Sequence, residues 1–161
     1  MNTAAFLAYL DGRQLRWGLV LDECAGAADQ DPRAQLLAVF DALTEWAHAP
    51  CDGFRSNAFI NAQAALAGPV SVIHEVVAQH KRALRGRLLG LAEATGTPDP
   101  GLLADQLLLL FEGAISTHAL GSVGESAEKA RHTASQLITA AAPRTPGPRR
   151  GAGPRTEELG F

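Results

Sequence analysis

The stretch that decides the fold runs from Gly101 to Leu120, GLLADQLLLLFEGAISTHAL. Leu103, Leu107, Leu110, Ala114 and Thr117 recur at spacings of three and four, the period of one helical face. Ala104, Leu108, Phe111, Ile115 and His118 form a second such stripe. A helix that is apolar on two faces is buried on both or lies in an oligomer interface. Asp99-Pro100, just before it, supplies an N-cap acid followed by Pro at the first helical position.

Downstream, Ser122-Val123-Gly124-Glu125 fits a capping box for a last helix over Glu125–Ala142. That helix has a seam of Ala127, Ala130, Ala134, Leu137, Ile138 and Ala141, whose small side chains let a neighbouring helix come close. These two helices are expected to form a dimer interface through Leu103, Leu107, Leu110, Ala114, Ala130, Ala134 and Leu137.

Upstream the same period recurs. Asn2–Ala27 carries Phe6, Leu10, Trp17, Leu21 and Cys24 on a helical face. Gly12 and Gly18 weaken that helix by about 1 kcal/mol each. Asp31-Pro32 starts a helix that runs to Ala49, with Leu36, Val39, Phe40, Leu43, Trp46 and Ala47 on one broad face. Pro50–Gly53 reads as a turn, and a short helix follows over Asn57–Leu66, closed by Gly68. Pro69 is expected to open a long helix to Thr95, with Val70, Ile73, Val77, His80, Leu84, Leu88 and Leu91 as its stripe and Gly96 as its stop. No strand pattern intervenes, so the fold class is all-α, a bundle of about six helices.

The chain has 161 residues, enough for one domain with a real core. No apolar run approaches the ~18–20 residues that span a bilayer. The N-terminus lacks a basic region followed by an apolar core. The expected location is therefore cytoplasmic, with no membrane partner. Cys24 and Cys51 are too few and too far apart for a disulfide framework. Residues 1–142 hold ten Lys and Arg against fifteen Asp and Glu, a net −5. An acidic body of this kind is a poor footprint for duplex DNA. Residues 143–161 hold four Arg against two Glu, and eight of these nineteen residues are Pro or Gly. The expected division is a folded domain over 1–142 and a disordered tail over 143–161.

No catalytic motif stands out. His74-Glu75 begins a zinc-protease pattern, but the next His is His80, six residues on rather than four. No enzyme activity, cofactor or metal is expected. His80 and His118 sit in apolar stripes of different helices, so both should point inward, either as ordinary buried side chains or as the polar groups of a mostly apolar ligand cavity. Spread over several helices are Trp17, Phe40, Trp46, Phe54, Phe59 and Phe111. Asn57 serves first as a helix cap, whereas Asn61 could reach a ligand. The candidate ligand-binding set is Trp17, Phe40, Trp46, Phe54, Phe59, Asn61, Val77, His80, Phe111 and His118. It is expected around one enclosed space of at least ~300 Å³. Lys81-Arg82 with Arg85 and Arg87 reads as a solvated basic face.

Five segments, in this order, resemble the regulatory domain of the tetracycline-repressor-like (TetR) family of bacterial transcriptional regulators. They are Phe6-Leu7-Ala8-Tyr9-Leu10, Leu36-Leu37-Ala38-Val39-Phe40-Asp41, Phe54-Arg55-Ser56-Asn57-Ala58-Phe59-Ile60-Asn61-Ala62, His80-Lys81-Arg82, and Asp105 through Ala114. The likeness covers about residues 3–142. It implies an all-helical sensor of a small apolar or aromatic effector, homodimeric through its last two helices. It also implies that DNA, as a repressor's partner, is contacted only through an N-terminal helix-turn-helix domain, because Asn2–Leu10 corresponds to the region just after that domain's recognition helix. Two other readings stand beside it. One is a ligand-free interaction module that pairs with an intact regulator. The other is a small helical enzyme using His80 or His118.

Overall fold

The computed structural model describes residues 2–50 and 53–143, with the side chains of all but 53–56 and 58. The tail from 144 onward and Cys51 lie outside them. All regular structure among the described residues is helical. The six helices are α1 (Thr3–Ala27), α2 (Pro32–His48), α3 (Gly53–Ala67), α4 (Val72–Ala94), α5 (Pro100–Ala119) and α6 (Ser126–Ala140). They pack as a bundle, and none is long and apolar enough to cross a membrane.

The helix starts follow local chemistry. Asn2, Asp31, Ser71 and Asp99 each accept a hydrogen bond from a backbone N–H of the first turn, with Pro32 and Pro100 seated just inside. Each such cap contributes about 1 kcal/mol. Three expected starts differ from what forms. The fourth helix begins at Val72 rather than Pro69. Gly68 takes φ +78° and Ser71 N–H closes a turn onto its carbonyl at 3.1 Å. The hydroxyl of Ser71 then caps Ile73, which leaves Val70 outside the helix and 99% exposed. The capping box before α6 does not form either. Glu125 occupies the N-cap position in the left-handed region at φ 51° and makes no side-chain capping bond. The third helix starts earlier than expected, at Gly53 instead of Asn57.

Burial divides the interior in two. The larger cluster joins the C-terminal halves of α1 and α4 to α2, α5 and α6, with Phe40, Leu36, Leu43, Leu88, Leu107 and Ile115 fully enclosed. The smaller cluster joins Phe6 and Leu10 of α1, Ile60 and Ala64 of α3, and Val77 of α4. Among the described residues, only α1 and α4 contribute to both. The basic run on α4 is not simply a solvated face, because each of its four charges meets an acid. Lys81 pairs with Glu112 at 2.6 Å and Arg85 with Asp105 at 2.7 Å, both on α5; Arg87 reaches Asp22 of α1 at 3.4 Å, and Arg82 pairs with Glu75 within α4. Arg87 and Arg131, which pairs with Asp41 of α2, sit at helix-to-helix seams. Exposed pairs such as these orient helices more than they stabilise them.

The last two helices differ from expectation in what they cover. Leu103, Leu107, Ala114, Ala130 and Ala134 are buried inside the chain, where the first stripe of α5 meets the alanine seam of α6. Side chains already enclosed in this way present nothing to a second copy. Leu110 and Leu137 are half-buried. A third stripe of α5 faces outward instead, Leu102, Gln106, Leu109, Gly113, Ser116 and Leu120, at spacings of three and four. Leu109 is 73% exposed and Leu120 82%.

Candidate ligand pocket

The two apolar clusters do not close completely against each other. At their seam lies a pocket to which Leu10, Ile60 and Val77 contribute from the smaller cluster and Trp46, Leu84 and Phe111 from the larger. Trp17 projects into it from the middle of α1. The aromatic walls hold one another edge-on. Trp17 meets Trp46 at 5.9 Å between ring centroids and Phe111 at 5.6 Å, and Phe40 backs Phe111 at 6.3 Å. Edge-to-face packing of this kind is worth about 0.5–1.5 kcal/mol per pair beyond area burial, so these walls are well fixed.

The polar groups at this seam are Arg13, Gln14, Asn57, His80 and Lys81. Arg13 is only 6% exposed, and its guanidinium lies 4.9 Å from the ring centroid of Trp46. A cation over an indole face is attracted by the ring quadrupole, more strongly when desolvated. Burial lowers the His80 pKa from its ordinary value; Lys81 pushes in the same direction and Asp11 opposes it. His80 is therefore neutral at pH 7, with one ring nitrogen donating and the other accepting. Lys81 points at Glu112, whose other oxygen accepts from Asn61 at 3.4 Å.

Of the ten side chains expected around one cavity, the pocket gathers Trp17, Trp46, Val77, His80 and Phe111. Phe40 is fully buried one layer behind. Asn61 is spent on Glu112. Phe59 lies on the outer side of α3, half exposed, against Phe6 at 6.0 Å. His118 is exposed near the end of α5, beside Glu128, whose carboxyl is held below its ordinary pKa first by the hydrogen bond with His48 and last by the charge of His118. The Phe54 side chain lies outside those described. The enclosed volume is about 70 Å³, well below the ~300 Å³ of a typical small-molecule site. The expected size is corrected accordingly, because the Trp17, Trp46 and Phe111 rings fill the space they were expected to surround.

Arg13, Gln14 and Lys81 were missed by the sequence reading, and the signal for two of them was present. Arg13 stands three residues after Leu10 and four before Trp17, and Lys81 stands four after Val77 and three before Leu84. Each charge therefore falls on an inward stripe. A wider open groove of about 700 Å³ lies across α1, α2 and α6. Among its walls Asp41 pairs with Arg131, and Glu128 pairs with His48 just outside the lining; the described residues that line it include no Phe, Trp or Tyr. The described residues hold no group of three or more His, Cys, Asp or Glu suited to a metal ion. No family model, curated protein or solved structure matches the chain.

Proposed function

We propose that this chain is the effector-sensing, dimerising part of a TetR-like transcriptional regulator. The observation that carries the reading is the seam pocket itself, where two Trp, a Phe, a His and a buried Arg converge from helices α1, α2, α4 and α5. A small-molecule site has this makeup, apolar walls with a few directed polar groups. The second support is the outward stripe of α5, where Leu102, Leu109 and Leu120 stand in register and exposed. Leu109, Gly113, Thr117 and Thr133 line a shallow groove beside it between α5 and α6. A second copy, packing the same helices about a two-fold axis, would cover that face.

In this reading the domain binds effector and partner copy but not operator DNA, which needs a basic reading surface that the acidic body lacks. The test has two arms. Sedimentation equilibrium is expected to give a dimer, and a thermal-shift screen of small aromatic and apolar compounds is expected to give ligands that raise Tm by mass action. A monomer with no stabilising ligand would overturn the proposal. A dimer that no compound stabilises would favour the second reading, a ligand-free interaction module, to which the small pocket volume lends support.

A further inference from the structure

We infer that the seam pocket takes a small uncharged aromatic ligand, whose polar group is a hydroxyl or a primary amide held by Gln14, Asn57 and His80. The inference rests on the sensor reading of the same pocket and adds the chemical class of its ligand. The polar residues lining the pocket are of two kinds. Its cations are already engaged. Lys81 pairs with Glu112 at 2.6 Å, and Arg13 lies over the Trp46 ring and makes a further interaction within the chain. Its neutral groups are not engaged. Among the described residues, the half-buried side chains of Gln14, Asn57 and His80 meet no hydrogen-bond partner. They come from three different helices, α1, α3 and α4. Everything else on the walls is apolar or aromatic.

The chemistry of these three groups selects the ligand's polar end. Each amide offers a donor and an acceptor, and neutral His80 offers one of each. A hydroxyl or a primary amide has the same double character. A carboxylate only accepts and an ammonium only donates, so each leaves part of the set unmet. Charge counts against both as well. The Lys81 charge is already answered by Glu112, and an ammonium would meet Arg13 and Lys81 together. An unpaired charge brought between apolar walls costs free energy. The ligand's ring lies against Trp17, Phe111 and Leu84, where edge contacts match those the walls already make. A void of about 70 Å³ sets the ligand at the small end of aromatic compounds. An apolar cavity that takes up benzene measures about 150 Å³, so entry of even one ring parts the two clusters.

The experiment uses the full chain and five probes built on one ring: benzyl alcohol and benzamide, with toluene, benzoate and benzylamine as controls for polarity and charge. Both tryptophans of the chain line the pocket, so intrinsic fluorescence reports occupancy alongside the shift in Tm. Benzyl alcohol and benzamide are expected to bind at least tenfold more tightly than benzoate or benzylamine, and at least fivefold more tightly than toluene. His80→Phe is expected to abolish the preference for benzyl alcohol over toluene and to leave toluene binding unchanged. Circular dichroism shows whether that variant folds. Gln14→Leu, on a different helix, tests the same preference and is expected to reduce it at least twofold. Benzoate or benzylamine binding as tightly as benzyl alcohol overturns the uncharged class and leaves the sensor reading standing. Toluene binding as tightly as benzyl alcohol, or an unchanged preference in the folded variants, overturns the role of the three polar groups with the same effect. If none of the five probes binds while compounds from the wider screen do, the class is again overturned alone. If no compound of any kind binds, both readings fall together.

Discussion

The hydroxyl of Ser126 donates a buried hydrogen bond of 2.9 Å to the carbonyl of Ala114, fastening the first turn of α6 to the middle of α5. This bond stands where a side-chain cap was expected, and it explains how α6 starts without one. Glu125, the residue before it, takes the left-handed backbone conformation, which costs a side-chain-bearing residue roughly 1–2 kcal/mol. Two substitutions should therefore move stability in opposite directions. Ser126→Ala is expected to lower unfolding free energy by about 1 kcal/mol, and Glu125→Gly to raise it by about 1 kcal/mol. Urea denaturation of both variants, read as midpoint at constant slope, checks the pair.

The outer stripe of α5 and its inner stripe predict different failures. Leu109→Glu is expected to leave helix content intact and to convert a dimer into a monomer, because the change lies on the proposed contact face. Leu107→Ala removes a fully buried side chain and is expected to cost about 2–5 kcal/mol of fold stability. Sedimentation equilibrium and thermal melts separate the two. A Leu109→Glu protein that dimerises with unchanged affinity would rule out this face as the interface.

His80 predicts a pH dependence. Its folded pKa is lowered, first by burial, below the ordinary value of 6.5, so the unfolded chain takes up the proton first. The stability linked to keeping His80 neutral is complete above pH 6.5 and declines as pH falls from there through the folded pKa. His80→Gln is expected to flatten that decline. The measurement is the change in urea midpoint between pH 7.5 and pH 5.5 for both proteins; equal changes would show that His80 does not carry it.

Cys24 is buried, and its thiol is pushed up to about 11, first by desolvation and then by Glu45. At pH 8 only about one thiol in a thousand is then ionised. In a Cys51→Ser background, reaction with a disulfide reagent is expected to run at least a hundredfold slower than for glutathione and to accelerate on unfolding in urea. Rapid labelling of the folded protein would contradict the assignment.

The helices were legible in the sequence because apolar spacing and the Asp-Pro pairs at Asp31-Pro32 and Asp99-Pro100 carry local information that packing then respects. The start of α4 was not, since the Pro69 signal and the Ser71 capping hydroxyl compete and the hydroxyl prevails. Half of the pocket was legible from inward stripes, as Trp17, Val77 and His80 illustrate. His118 defeated the same logic. It obeys the stripe but sits in the last turn of α5, where the neighbouring helices no longer cover it. Phe59 stands one residue before buried Ile60, and that single step turns a side chain by about 100° on a helix. The size of the pocket was not legible at all, because spacing says which rings converge but not whether they touch.

The seam between the two apolar clusters has a mechanical meaning. Among the described residues only α1 and α4 run through both, so a wedge driven into the seam flexes two rods while each cluster stays intact. On α1 the wedge acts at Arg13 and Trp17, between Gly12 and Gly18, the least stiff residue type in a helix. Ten residues separate Arg13 from Thr3 at the start of α1, a lever arm of roughly 15 Å at 1.5 Å per residue, so a tilt of about 5° there carries the first turn roughly 1.3 Å. The end of α1 at Thr3 thus works as a pointer whose deflection amplifies a small event at the tryptophans.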